Sequence, residues 1–315
     1  MQAAVVDSGA LEWRTVPDPV PGPGQLLVEV HAAGVNNADL IQRLGLYPPP
    51  AGWPEDVPGL ELAGRVVARG PGCGGPLAAG DRVMGLVGGG AQAELAVMDE
   101  AEALAVPTGT PWEEAGGFPE AFSTAYDALV TQGGLVLGDR VLVTGAAGGV
   151  GTAGVQLAAA AGAEVVASVR RPELCQALVA LGAARAEEPA AAAALGPFDV
   201  VLELVGGDSF ALSLEALAVG GRLVVIGTGA GGRAEIDLLG LMRRRATVRG
   251  STMRARPAPE KALVARAVGA HVVPLLADGR VRVPIAETFA LSDAPLAYDR
   301  FAAGAKLGKV VLVRR

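Results

Sequence analysis

Cysteine and histidine are nearly absent from this 315-residue chain, which has two of each. Cys73 and Cys175 cannot build a disulfide framework or a four-cysteine zinc site, and are read as ordinary thiols. Aromatic residues make up only 4% of the chain, against 45 glycines and 22 prolines. That balance implies many tight turns and close backbone approaches. An excess of positive charge is lacking too: 26 Lys and Arg stand against 33 Asp and Glu, a net −7. This argues against a dedicated DNA-binding chain. With 51% hydrophobic and 19% charged residues, general disorder is excluded, and the length suits two domains.

The opening Met1-Gln2-Ala3-Ala4 has neither the basic start nor the apolar core of a secretory leader, so a cytoplasmic setting is expected. An uncharged run from Val141 to Ala163 is long enough to cross a bilayer. Six glycines interrupt it, however, and strand, glycine turn and helix describe it better than a membrane span.

What is present divides near Pro119. Before it, short alternating runs such as Leu26 to His31, Leu62 to Val67 and Arg82 to Leu86 are punctuated by Pro48-Pro49-Pro50 and Gly70-Pro71-Gly72. They predict an antiparallel, partly barrel-like β domain. After it, Val141-Leu142-Val143-Thr144, Val165 to Val169, Val200 to Leu204 and Leu223 to Ile226 are nearly continuous apolar runs separated by alanine-rich helical segments. Such alternation predicts βαβ units and a doubly wound parallel sheet, an α/β fold. Thr247 to Ser251 reads as one further strand. Helix from Pro259 to Leu276, a strand at Val281-Arg282-Val283, a helix from Asp293 to Ala302 and a last strand at Val310 to Val313 follow. This tail is expected to rejoin the first domain, giving a β domain of residues 1–119 and 258–315 around a dinucleotide domain of residues 120–257.

The sharpest motif is Thr144-Gly145-Ala146-Ala147-Gly148-Gly149-Val150-Gly151, which puts glycines between a strand and a helix where backbone N–H groups can approach a pyrophosphate. Ala146 replaces one glycine of the usual spacing. At the end of the next strand, where an NAD site carries a carboxylate, stand Arg170 and Arg171. Two guanidiniums there suit a 2′-phosphate and hence NADPH; the alternative is a solvated pair ahead of a helix begun by Pro172. Val205-Gly206 and Gly227-Thr228 end later strands, either to admit the cofactor or as ordinary turns.

Taken with Gly34-Val35-Asn36-Asn37-Ala38-Asp39, Leu46-Tyr47-Pro48-Pro49-Pro50, Gly59-Leu60-Glu61-Leu62-Ala63-Gly64, Gly80-Asp81-Arg82-Val83 and Gly308-Lys309-Val310-Val311-Leu312, the order of segments resembles the medium-chain dehydrogenase/reductase superfamily over nearly the whole chain. The branch it resembles is that of the zinc-free, zeta-crystallin-like NADPH:quinone oxidoreductases. Asn36-Asn37-Ala38-Asp39 and Pro119-Glu120-Ala121-Phe122 are similar to its tumour-suppressor-inducible members. The resemblance implies a GroES-like domain, a Rossmann domain and a homodimer. It implies roles for Asn36, Tyr47 and Thr124 beside nicotinamide and substrate. Gly148, Gly149, Val150, Arg170, Arg171, Val205, Gly206, Gly227, Thr228, Ser251 and Lys309 are implied as further cofactor contacts. Ser251 to Arg254 would close over the nicotinamide. Zinc members carry a Cys near Asn36-Asn37, a His-Glu pair at Leu60-Glu61 and a four-Cys lobe. All are missing here, so no metal site is expected. Ile41 stands where some reductases have a second tyrosine, and Leu174 near the place of a phosphate-binding lysine, which moves the 2′-phosphate role to Arg170 and Arg171.

Without metal or a nucleophile pair, the cofactor carries the chemistry. The leading reading is an NADPH-dependent quinone reductase; its rival is reduction of an activated C=C bond in an enal or enone. A reading from another class is an NADPH-binding protein with little turnover, structural or acting on RNA. Tyr47 either contacts substrate or is an aromatic wedge before the proline bend, while Asp39 caps a helix running toward Arg43. Glu203 is expected to pack near the cofactor, and Gln156 to be structural. The basic run Arg243, Arg244, Arg245, Arg249, Arg254 and Arg256 could bind phosphate or RNA, but is read as a solvated helix end and a charge-protected edge strand.

Overall fold

Two hydrophobic periodicities along the chain become two units in the computed structural model, which describes all 315 residues. The first comprises Met1–Ser123 and Met253–Arg315; the second is Thr124–Thr252.

In the first unit the chain forms β1 (Gln2–Asp7), β2 (Ala10–Thr15), β3 (Gln25–Val35), α1 (Asn37–Arg43), β4 (Glu61–Arg69), β5 (Arg82–Leu86), β6 (Leu95–Asp99), β7 (Ala103–Ala105), α2 (Trp112–Gly117) and the start of α3 (Pro119–Tyr126). Alternation explains β3: Leu26, Val28 and Val30 are buried in a cluster with Leu62, Val66, Val83 and Met98, and the residues between them are half-exposed. Helix α1 begins where Asp39, in its first turn, accepts the Asn36 N–H at 2.8 Å, the predicted cap.

The second unit continues with β8 (Arg140–Val143), α4 (Gly149–Ala160), β9 (Glu164–Ser168), α5 (Cys175–Ala180), β10 (Arg185–Glu187), α6 (Pro189–Ala194), β11 (Phe198–Glu203), α7 (Asp208–Glu215), β12 (Leu217–Val225), α8 (Leu238–Arg244) and β13 (Thr247–Gly250). Its six strands run in the order β10-β9-β8-β11-β12-β13, all parallel. Chain direction across the sheet reverses between β8 and β11. That reversal opens a crevice at the carboxyl ends of the two strands, the usual ligand position in such sheets.

The tail returns to the first unit as α9 (Ala258–His271), α10 (Val273–Ala277), β14 (Ile285–Ala290), α11 (Ala294–Ala302) and β15 (Lys309–Val313). Strand β15 pairs antiparallel with the end of β3, Val310 opposite Val35, and parallel with β14. Two expectations are corrected. The helix expected through Leu276 breaks at Val272, because Pro274 lacks an N–H and crowds the preceding turn. Val281-Arg282-Val283 forms no strand; both valines are buried, but the ladder to β15 starts only at Ile285.

Helix α4 leaves β8 through a turn with no spare room. A methyl group on Gly151 would lie 2.5 Å from the Gly145 carbonyl oxygen and 2.7 Å from Ala146 backbone atoms. Gly151→Val should therefore cost about 1–3 kcal/mol through overpacking, read as a lower urea midpoint.

Candidate active site

One threonine and one glutamate shape the turns at the strand-order reversal of the second unit. The Leu204 N–H donates to Thr144 Oγ1 at 2.8 Å, joining the turn after β8 to the turn after β11. Glu203 is fully buried; its Oε1 accepts the N–H groups of Val205 and Gly206, each at 2.9 Å, and its Oε2 accepts the Ser213 hydroxyl at 2.6 Å. These bonds shape a turn in which Gly206 has φ +77°, a conformation costly for any residue with a side chain. Helix α4 starts at Gly149, and its first N–H groups have no partner within the helix. At the end of β9, Arg170 and Arg171 are exposed; Arg171 Nη1 lies 3.3 Å from Glu173 Oε1. Gly227 and Thr228 follow β12. Ser251 donates to Asp127 Oδ2 at 3.4 Å, and Thr124 is buried on α3.

The first unit holds a buried ionic cluster. Glu61, at the start of β4, has no exposed surface, and its Oε1 lies 2.6 Å from the Lys309 ammonium at the start of β15. Lys309 Nζ also donates to Asn36 Oδ1 at 2.6 Å and to the Val35 carbonyl at 3.3 Å. Asn36 Nδ2 returns a hydrogen bond to Glu61 Oε1 at 3.0 Å, and the Glu120 N–H donates to Glu61 Oε2 at 2.8 Å. Gly34 makes this possible: a methyl group there would lie 2.1 Å from Glu61 Oε1.

Next to this cluster, Asp39 is fully buried. Beyond the Asn36 N–H, its Oδ2 accepts Gln92 Nε2 at 3.4 Å, and Gln92 Oε1 accepts the buried Tyr298 hydroxyl at 2.9 Å. Burial pushes the Asp39 carboxyl up to about 7; the Asn36 N–H, Lys309 and Arg254 oppose that shift, and Glu61 adds to it.

Among the residues predicted from sequence, Asn36 and Lys309 come together around Glu61 in the first unit. Tyr47, half-buried after α1, is bonded through its carbonyl to Arg254 at 3.2 Å. The glycine turn, Val205 and Gly206 come together in the second unit. Gln156 is buried and donates to the Thr152 carbonyl at 3.0 Å. Arg243, Arg245 and Arg249 are exposed, but Arg254 is buried, so the solvated reading of the basic run fails there. Gln92, Tyr298 and Gln42 were missed. The one available signal was a glutamine placed directly after the apolar run Gly88-Gly89-Gly90-Ala91.

Comparison with known proteins agrees with this architecture. A model of the alcohol dehydrogenase GroES-like domain matches residues 22–108, and a zinc-binding dehydrogenase model matches residues 176–312. Quinone oxidoreductase-like protein 2 of Bos taurus is 30% identical over 309 residues, covering 95% of this chain and 87% of that protein. The crystal structure of an alcohol dehydrogenase superfamily protein from Novosphingobium aromaticivorans superposes with a TM-score of 0.88 at 29% identity, covering 100% of both chains. The chain belongs to the medium-chain dehydrogenase/reductase superfamily. Polyketide synthase GfsB of Streptomyces halstedii is 41% identical over 222 residues, 69% of this chain but only 4% of that protein. The chain spans 4%, 14% and 6% of the three polyketide synthases GfsB, NorB and PikAII.

Superfamily membership raises two fit questions. Zinc does not fit: no group of three or more His, Cys, Asp or Glu side chains is placed to hold an ion, and Glu61 already carries the Lys309 ammonium. A nicotinamide dinucleotide, the superfamily's cofactor, does fit. The crevice lies at the strand-order reversal, and Gly151 lets α4 approach the turn to within van der Waals distance.

Asp39 gives a pH test. An ordinary aspartate titrates near 3.8, and this one near 7 in the folded chain. The folded state therefore holds the proton more tightly, a stabilising contribution present below about pH 4 and lost as pH rises through 7. Asp39→Asn, neutral throughout, should gain stability relative to wild type between pH 5 and pH 8, read as the difference in urea midpoints.

Proposed function

We propose that the chain is an NADPH-dependent quinone reductase that works without a metal. The observation that carries this reading is the Asn36–Glu61–Lys309 cluster, in which an amide and an ammonium satisfy a buried carboxylate where a metal would need ligands. The match to a quinone oxidoreductase-like protein over 95% of the chain supports the substrate class.

The cofactor supplies a hydride when bound. The chain's own groups bind and orient. The N–H groups at the start of α4, that of Val150 among them, would face the pyrophosphate, with Gly148 and Gly149 presenting no side chain there. Arg170 and Arg171 hold the 2′-phosphate, each able to form a charge-assisted fork. Val205, Gly206, Gly227, Thr228 and Ser251 line the rest of the dinucleotide. Asn36, Tyr47 and Thr124 act at the reacting end, where a donor to the acceptor's oxygen stabilises the charge that develops there. Lys309 acts through Asn36, whose amide it fixes. The outer edge of β13, which pairs only with β12, supports a homodimer.

A second reading, reduction of an activated C=C bond in an enal or enone, is also compatible with the matches to segments of polyketide synthases. NADPH oxidation measured with ortho-quinones, para-quinones and enals separates the two: quinone turnover is expected to dominate, faster enal turnover would favour the second reading, and no turnover would refute both. Replacing Arg170 and Arg171 together with Ala should narrow the NADPH-over-NADH preference by about tenfold or more, from the loss of charge-assisted bonds worth ~1.5–3 kcal/mol each before solvent screening. An unchanged preference would remove them from the site.

A further inference from the structure

Arg254 is the member of the basic run that the fold treats differently. It enters the first unit just after β13 and is only 8% exposed. Every donor bond it makes goes to a neutral oxygen. Nε and Nη2 donate to the Gly88 carbonyl at 2.9 and 2.7 Å, Nη2 donates to Gln42 Oε1 at 2.7 Å, and Nη1 donates to the Tyr47 carbonyl at 3.2 Å. The guanidinium carbon lies 5.2 Å from the centre of the Tyr47 ring, within cation–π range. One side chain thus ties together the end of α1, the segment after it and the turn after β5.

Burying a guanidinium without a bonded carboxylate is expensive, and burial indeed pulls its pKa down, with Asp39, Tyr47 and Glu120 acting in the opposite direction. A simple structural rivet would be served as well by an apolar side chain of similar volume. What only a planar, branched cation provides is three bond directions at once and a face laid on an aromatic ring. The segment it grips needs this. Leu44 and Leu46, which precede Tyr47, are 68% and 74% exposed and give it little apolar anchorage.

We infer that Arg254 is the positioning residue for Tyr47, holding that ring and its segment at the reacting end of the site. The inference rests on the proposed reading for the role of Tyr47, but its structural half does not. Gln42 extends the grip by donating through Nε2 to the Glu55 carbonyl at 3.3 Å, so both flanks of the proline bend are held from one centre.

Hydrogen exchange and kinetics test the two halves separately. In Arg254→Ala, amides of Leu44 to Tyr47 should exchange about tenfold faster or more while those of β15 do not change. Arg254→Lys, which keeps the charge but not the fork, should fall between and covers the case in which the alanine variant fails to fold. Arg243→Ala, from the exposed part of the same run, should leave exchange and turnover unchanged. With an acceptor the wild type reduces, Arg254→Ala and Tyr47→Ala should each lower kcat/KM about tenfold, and the double variant should be no more than about threefold worse than the poorer single one. Losses that multiply, or unchanged exchange at Leu44 to Tyr47, would overturn the inference. Absence of turnover in the wild type would instead refute the quinone reading, leaving exchange to decide on Arg254.

Discussion

Glu61 imposes the condition around which the first unit is arranged. Its carboxylate lies on a strand with no access to water, and an unpaired charge there would cost several kcal/mol. The compensating ammonium comes from Lys309, 248 residues away in sequence, so the buried charge in the core built from β3 and β4 is balanced only with β15 in place. The same pair orients the Asn36 amide unambiguously, since its oxygen faces an ammonium and its nitrogen faces a carboxylate. Gly34 has no side chain for the reason that Glu61 occupies the space. Fold closure and site geometry are therefore one constraint.

The second unit buries a glutamate as well and solves the problem differently. Glu203 has no cationic partner; backbone N–H groups of Val205 and Gly206 and the hydroxyls of Ser209 and Ser213 surround it. Local donors suffice because the carboxylate stands at the end of β11, where the chain turns and its N–H groups are not used by the sheet. One glutamate thus ties distant segments together, and the other shapes a turn within eleven residues of chain. In both cases the buried charge fixes the backbone or side chains that surround it.

Patterns that repeat locally were legible in the sequence. The parallel strands, the glycine turn and the α1 cap at Asp39 all follow from residues within a few positions of each other, and the structure has them where the periodicity places them. Interactions that depend on tertiary meeting were not. Arg254 looked like its neighbours Arg243 to Arg249, and nothing in the run shows that its acceptors are Gly88, Gln42 and Tyr47. Gln92 and Tyr298 are ordinary residues until the fold brings them to Asp39. Val281 and Val283, expected to form a strand, misled for a related reason: both are buried, but burial alone does not specify a ladder.

The scarcity of cysteine and histidine acquires a chemical consequence once the cluster is known. A metal ion at such a position would neutralise the carboxylate and still offer an open position to a substrate oxygen. The Lys309 ammonium has three N–H groups, and all three are taken by Val35, Asn36 and Glu61. It therefore balances charge without being able to polarise anything further. Under the proposed reading, an acceptor whose oxygen gains charge must be met by a different donor, and an acceptor that needs strong polarisation would be a poor substrate. Quinones fit this limit because their own electron deficiency drives reduction. That places the weight of orientation on the segment carrying Tyr47, and makes the buried guanidinium that grips it a feature of the reaction as well as of the fold.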